Sequence, residues 1–101
     1  MSTMREALRD ARRRGFDENR VTLCGTVNNT VDFSIKECSF ELRCVTSSVL
    51  FIPISLPAEM RQKLYGVDIG MRVRIIGELV WAKKPNGSGR LLVKGTSLDI
   101  L

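Results

Sequence analysis

Residues 57–66 read Pro57-Ala58-Glu59-Met60-Arg61-Gln62-Lys63-Leu64-Tyr65-Gly66. Proline suits the first position of a helix, because an N–H there would have no partner anyway. Met60 and Leu64 fall four apart on one helical face. Gly66 is a natural left-handed stop. The stretch predicts a short helix, and both flanks read as strands. Upstream, Leu50, Ile52 and Ile54 alternate with Val49 and Phe51. Downstream, Met71, Val73, Ile75 and Leu79 alternate with Arg72, Arg74 and Glu78, with Gly77 on the inner register and the strand running to about Trp81.

Working outward, two further strands precede these. Val21, Leu23, Gly25 and Val27 alternate with Thr22, Cys24 and Thr26. Phe40, Leu42 and Cys44 alternate with Glu41, Arg43 and Val45. Thr46-Ser47-Ser48 is a tight link, so the second and third strands should form a hairpin. Pro53 cannot donate to a ladder and belongs on an edge or at a bulge. After the fourth strand, Lys83-Lys84-Pro85-Asn86-Gly87-Ser88-Gly89 reads as a basic, flexible turn, and Arg90 to Leu101 as the last strand, bent at Gly95.

The order is strand, strand, strand, helix, strand, strand. That is the order of the OB-fold, a five-stranded Greek-key barrel with a helix between strands three and four. The expected class is all-β, with glycines 25, 77 and 95 at points of sharp coiling. Residues 1–19 differ in character. Thr3-Met4-Arg5-Glu6 fits a capping box, and Met4, Ala7, Leu8 and Ala11 follow at helical spacing before Gly15 ends the pattern. The domain reading is an N-terminal helical extension over 1–19 and an OB-fold domain over 20–101.

Composition narrows the function. The 101 residues suffice for one core, and 44% hydrophobic residues support one. Sixteen Lys and Arg against eleven Asp and Glu give +5, which favours a polyanionic partner. The basicity is spread along the chain. Histidine is absent, which removes histidine-based catalysis and every histidine-containing zinc pattern. No paired carboxylates, phosphate-cradling loop or metal cluster stands out, so we expect no enzyme, no cofactor and no metal. Cys24, Cys38 and Cys44 are an odd, widely spaced set, and read as small apolar strand residues in a reducing compartment. No apolar run approaches the roughly 18 residues of a membrane span, and no secretory leader is visible, so the expected location is cytoplasmic.

The strands resemble a known family. Asn19-Arg20-Val21-Thr22-Leu23-Cys24-Gly25-Thr26-Val27 is similar to the first strand of bacterial single-stranded DNA-binding proteins and of the related primosomal replication protein N. Gly70-Met71-Arg72-Val73-Arg74-Ile75-Ile76-Gly77-Glu78-Leu79-Val80-Trp81 resembles their fourth strand, and Gly87 to Leu101 their closing strand. The resemblance covers about residues 19–101. It implies single-stranded DNA binding in replication, recombination or repair, with RNA as a variant ligand, replication proteins as partners, and a homodimer or homotetramer formed through the first strand. The aromatics are fewer than in that family and the loop between strands two and three is shorter, which points to an accessory, primosome-like role.

Such a binder needs cations for phosphates and flat side chains for bases. OB-folds place the groove across strands two and three, walled by the loops after strands one and four. The matching residues are Lys36 in the first loop, Arg43 and Phe51 on the outward face, and Trp81, Lys83, Lys84 and Arg90 around the last hairpin. Arg72 and Arg74 form a second basic stripe. Each has a plainer alternative. Trp81 serves equally as a cap on the core, Phe51 as a packing residue, and the lysines and arginines as solvated charges. The competing function is a protein-interaction adaptor built on the same fold.

Overall fold

A computed structural model describes residues 17–101. The predicted helix over 3–14, with Arg12 to Arg14 at its end, lies outside the described residues. Six strands are present: β1 (Val21–Val27), β2 (Asp32–Phe33), β3 (Glu37–Val45), β4 (Val49–Pro57), β5 (Arg72–Lys83) and β6 (Gly89–Ile100). Between β4 and β5 lie a 3₁₀ turn, Ala58–Met60, and one short helix, α1 (Arg61–Leu64). The described chain is therefore mostly β, with the helical segment in the expected interval.

The sheet order is β1-β5-β6-β4-β3-β2, and β1 also pairs with β3. Thr26 makes the closure, facing Arg72 of β5 and Arg43 of β3. The pairings thus form a closed circuit. All are antiparallel except β4 with β6, a short parallel seam at Ile54↔Val93 and Ser55↔Lys94. Every strand alternates as its residue pattern dictates. Val27, Phe40, Leu42, Ile54, Leu56, Val73, Ile75, Val93 and Leu98 point inward, joined by Leu64 and Val67 from the helical segment. Leu50 shares their register but stays half exposed, because it lies at an open end of the circuit.

Pro53 occupies a compatible position. Glu41, its partner on β3, directs its carbonyl to Asn28 N–H (2.9 Å) and its own N–H to Asn29 Oδ1 (2.7 Å). Glu41 and Pro53 are therefore a non-hydrogen-bonded pair, and the proline removes no bond from that ladder.

Several local details differ from the sequence reading. Pro57 ends β4 in extended geometry (φ −65°, ψ 151°) and caps the 3₁₀ turn, so the helical run begins at Ala58. Gly66 is not left-handed. Tyr65 remains right-handed, and the chain keeps turning until Val67 N–H reaches Leu64 O (3.1 Å) and Val67 is buried. The left-handed residue of this segment is Gly70, at φ +90°. β5 continues past Trp81 to Lys83. The turn after it is ordered: Lys84 N–H donates to Ser88 O (2.6 Å), Gly87 N–H to Lys84 O (3.0 Å), and Asn86 Oδ1 accepts from Ser88.

The β5–β6 hairpin carries an irregularity. Ile76 faces Ser97 and Gly77 faces Gly95, which leaves Thr96 as the extra residue of a bulge. Its hydroxyl donates to Ile76 O at 3.2 Å. Gly77 is required here by contact, since a Cβ would lie 2.3 Å from Lys94 O.

Candidate nucleic-acid interface

Register places the candidate residues. On the outward register of β3 and β4 the cross-strand pairs are Glu37/Pro57, Ser39/Ser55, Glu41/Pro53, Arg43/Phe51 and Val45/Val49, with Ser55 buried. Arg43 is exposed and Phe51 is 53% exposed, so a guanidinium and an aromatic ring stand side by side on open sheet. Phe51 is not absorbed into the core.

Trp81 is 62% exposed. It faces Leu91 across the β5–β6 hairpin, and Lys83 faces Gly89 on the same side. Arg90 pairs with Ala82 and therefore lies on the opposite side. The residues expected to cluster at this hairpin are thus divided. Trp81 and Lys83 share one side, Lys84 opens the turn, and Arg90 looks into a different recess.

That recess is a polar cavity of about 220 Å³ whose lining includes Asn29, Asp32, Glu37, Glu41, Ser55 and Arg90. Ser55 Oγ donates to Glu37 Oε2 at 2.6 Å, and Asn28 Nδ2 donates to Glu41 Oε1 at 2.7 Å. Three carboxylates here make this part of the face unfavourable to a polyanion. Sequence reading missed this patch because Asp32 lies on β2, a two-residue strand without a periodic signal.

The remaining basic residues are scattered. Lys36 is exposed in the β2–β3 turn. Arg72 and Arg74 are exposed on the outward face of β5, seven and more residues before Trp81, or about 23–30 Å at strand rise. Arg74 Nη2 meets Asp99 Oδ2 at 3.2 Å, and Lys63 Nζ lies 3.9 Å from the same carboxylate, so Arg74 is already paired. A second aromatic feature was not foreseen: Phe33 packs on Tyr65, with ring centroids 4.9 Å apart and planes tilted by 38°. Arg61 Nη2 donates to Ser34 O beside it.

The cysteines are free thiols, Cys24 exposed and Cys38 and Cys44 buried. Burial pushes the Cys44 thiol above its ordinary value, and nearby Cys24 pushes it the same way. Among the described residues no group of three His, Cys, Asp or Glu is arranged to hold a metal ion, and no helix is long and apolar enough to cross a membrane.

No family model matches the chain, and no curated protein matches it. Solved structures do. The N-terminal domain of PriB from Thermoanaerobacter tencongensis, described as dimeric, is 24% identical over 84% of this chain and 98% of its own, with a TM-score of 0.69. The mitochondrial single-stranded DNA-binding protein Rim1 of S. cerevisiae is 12% identical over 85% and 97%, at 0.69. A deletion variant of the single-stranded DNA-binding protein from Thermus aquaticus is 18% identical over 87% of this chain and 43% of its own, at 0.75. The chain thus has the OB-type fold shared by the PriB and single-stranded DNA-binding proteins.

Proposed function

We propose that this chain is a non-catalytic, cytoplasmic single-stranded DNA-binding protein acting in replication, recombination or repair, built as an OB barrel of five long strands with the two-residue β2 added beside β3. One observation carries the reading. On the fold of PriB and Rim1, Trp81 stands exposed beside Lys83 while Phe51 stands exposed beside Arg43. Flat faces interleaved with cations are what an unpaired strand offers contacts for. Bases stack on Trp81 and Phe51, and Lys83, Lys84 and Arg43 hold phosphates. Arg90 and Lys36 flank the path, and Arg72 is a remote contact. The acidic recess at Asp32, Glu37 and Glu41 keeps the backbone off the centre of the sheet. By analogy with PriB, the chain works as a homodimer; a tetramer and docking to replication proteins are the larger assemblies this reading allows.

Trp81 is the single tryptophan, so it reports binding directly. Titration with oligo-dT and a matched oligoribonucleotide at two salt concentrations should quench its emission, with affinity falling steeply as salt rises. Absence of quenching and of salt-dependent binding rejects the reading. The adaptor reading is supported by the half-exposed apolar side chains Leu79 and Leu91. It predicts protein capture that reversing Lys83 and Lys84 to Glu leaves intact.

A further inference from the structure

Cross-strand register joins residues that lie far apart in the chain. Thr26 of β1 faces Arg43 of β3 on one side and Arg72 of β5 on the other, and Arg43 in turn faces Phe51 of β4. Phe51, Arg43, Thr26 and Arg72 therefore form one row across four strands. Leu42, Val27 and Val73, the next residues along β3, β1 and β5, are buried in the core, so the row itself stands on the outer surface. Arg43 and Arg72 are both exposed. They sit two strand spacings apart, about 10 Å. Arg72 is thus remote from Trp81 along β5 yet close to Arg43 across the seam that closes the circuit. Neither arginine makes an ion pair among the described residues. The next outward charges are answered: Glu41 Oε1 accepts from Asn28 Nδ2 at 2.7 Å, and Arg74 Nη2 meets Asp99 Oδ2 at 3.2 Å. The other end of the row is continuous with the hairpin, because Phe51 lines an apolar groove with Leu79 and Leu91, and Leu91 faces Trp81.

We propose that this row is a phosphate track: an unpaired DNA strand stacked on Trp81 and Phe51 leaves Phe51 across the strands, over Thr26, with its backbone held by Arg43 and then Arg72. The inference rests on the single-stranded DNA reading and adds to it the direction of the path. Two routes lead away from Phe51. Along the β3–β4 hairpin lie Glu41, Glu37 and, beside them on β2, Asp32, a run of carboxylates that disfavours a polyanion. Across the strands lie two guanidiniums, whose planar forks match phosphate oxygens. A cation that is already paired must give up its partner before it gains a phosphate, and these two have none to give up. Thr26 between them is small and half-buried, so the sugar–phosphate chain can lie close to the sheet there. The row also crosses where β1 meets β3 over only Thr26 and Val27, which brings the arginines of β3 and β5 within reach of one strand although they are distant in the sequence.

The test measures the affinity of the full chain for oligo-dT against salt. Each arginine holding a phosphate adds about 0.7 to the slope of log affinity against log salt, so Arg43→Ala and Arg72→Ala should each flatten it by that amount and the double variant by about 1.4. Arg72→Lys should restore most of the slope, since an ammonium still binds phosphate. Lys94→Ala removes an equal charge on β6, opposite Glu78, and should leave the slope as it is. A parental slope in Arg72→Ala, or equal flattening by Lys94→Ala, overturns the track. Flattening by Lys36→Ala in place of Arg72→Ala also overturns it, by sending the strand along β3. Cys24 gives a reading that leaves both arginines in place. Its thiol is exposed, two residues before Thr26 and facing Arg74, while Cys38 and Cys44 are buried. A benzophenone maleimide attached to Cys24 should capture oligo-dT on irradiation, and the same group on a Cys24→Ser/Lys94→Cys chain should not. No capture at Cys24, or equal capture at both positions, overturns the track even if the arginine variants misfold. A parent chain that neither binds oligo-dT nor shows quenching of Trp81 sinks the nucleic-acid reading and the track together. A parent that binds and quenches while Arg72→Ala behaves identically sinks the track alone.

Discussion

The indole of Trp81 lies against Gly89, closely enough that a Cβ there would come 2.5 Å from Nε1 and 2.6 Å from Cε2. The glycine leaves the ring room to lie across the hairpin, held at a fixed tilt yet open to solvent. Gly89→Ala should therefore swing the indole off its seat without unfolding the chain, because the displaced group is an exposed side chain. The expected result is a shifted Trp81 emission maximum, weaker oligo-dT binding and an unchanged far-ultraviolet circular dichroism spectrum. A binding curve identical to the parent's would show that the seated geometry is irrelevant to stacking.

Removing the rings themselves is the blunter experiment. A base stacked on an aromatic side chain contributes about 1–3 kcal/mol, so Trp81→Ala should weaken oligo-dT binding roughly 5- to 150-fold, read by anisotropy of a labelled oligonucleotide. Phe51→Ala should lose affinity in the same range. Neither ring is buried in the core, so the melting temperature should move little. A large thermal shift with unchanged affinity would assign both rings to packing.

Charge contacts have a different signature. Each phosphate neutralised on a single strand adds about 0.7 to the slope of log affinity against log salt. Lys83→Ala/Lys84→Ala should flatten that slope by about 1.4 if both lysines touch phosphate. Arg74→Ala should flatten it much less, since Asp99 already answers that guanidinium at 3.2 Å. Equal slopes for the three proteins would mean that the turn lysines are only solvated charges.

The bulge should tolerate little. A Cβ on Gly77 would sit 2.3 Å from Lys94 O and 2.8 Å from Gly95 Cα. Both are backbone atoms, so no rotamer change relieves the clash, and the two strands must part. Gly77→Ala should cost about 3 kcal/mol, at the severe end of single substitutions, measured by urea unfolding. A loss under about 0.5 kcal/mol would show that the hairpin opens freely at the bulge.

What the sequence disclosed, and what it hid, follows from the range of the interactions. Alternation at Val21–Val27, Phe40–Cys44 and Val73–Ile75 was legible because a strand with one wet face must place apolar residues every second position. The helical segment holding Met60 and Leu64 carried its own spacing. The exposure of Trp81, in contrast, depends on how far β5 and β6 run beyond the circuit, and no local pattern encodes that length. The separation of Arg90 from Trp81 comes from cross-strand register. The Phe33–Tyr65 contact joins residues far apart in the chain, and the acidic recess joins β2, β3 and the loop before them. Gly66 is no left-handed stop, because the chain turns on past it to bury Val67, a tertiary contact that no local pattern shows.

The cysteines give the last prediction. Cys44 is buried on β3, and its thiol is held above its ordinary value first by desolvation and then by Cys24. The neutral thiol is thus favoured in the fold, while the unfolded chain ionises at the ordinary value. Between those two values the folded state holds the extra proton, so stability must fall as pH rises. The contribution is fully present at neutral pH, begins to fade above the ordinary thiol value near 9, and is gone once pH passes the folded value. The urea midpoint should drop as pH rises above the ordinary thiol value, and Cys44→Ala should remove part of that drop. At pH 7.5 a maleimide should label Cys24 rapidly and leave Cys44 unmodified until the chain is unfolded, because only the thiolate of an accessible cysteine reacts. Rapid native-state labelling of Cys44 would mean that β1 and β3 separate readily at their short Thr26–Val27 seam, and would place the weakest point of the strand circuit there.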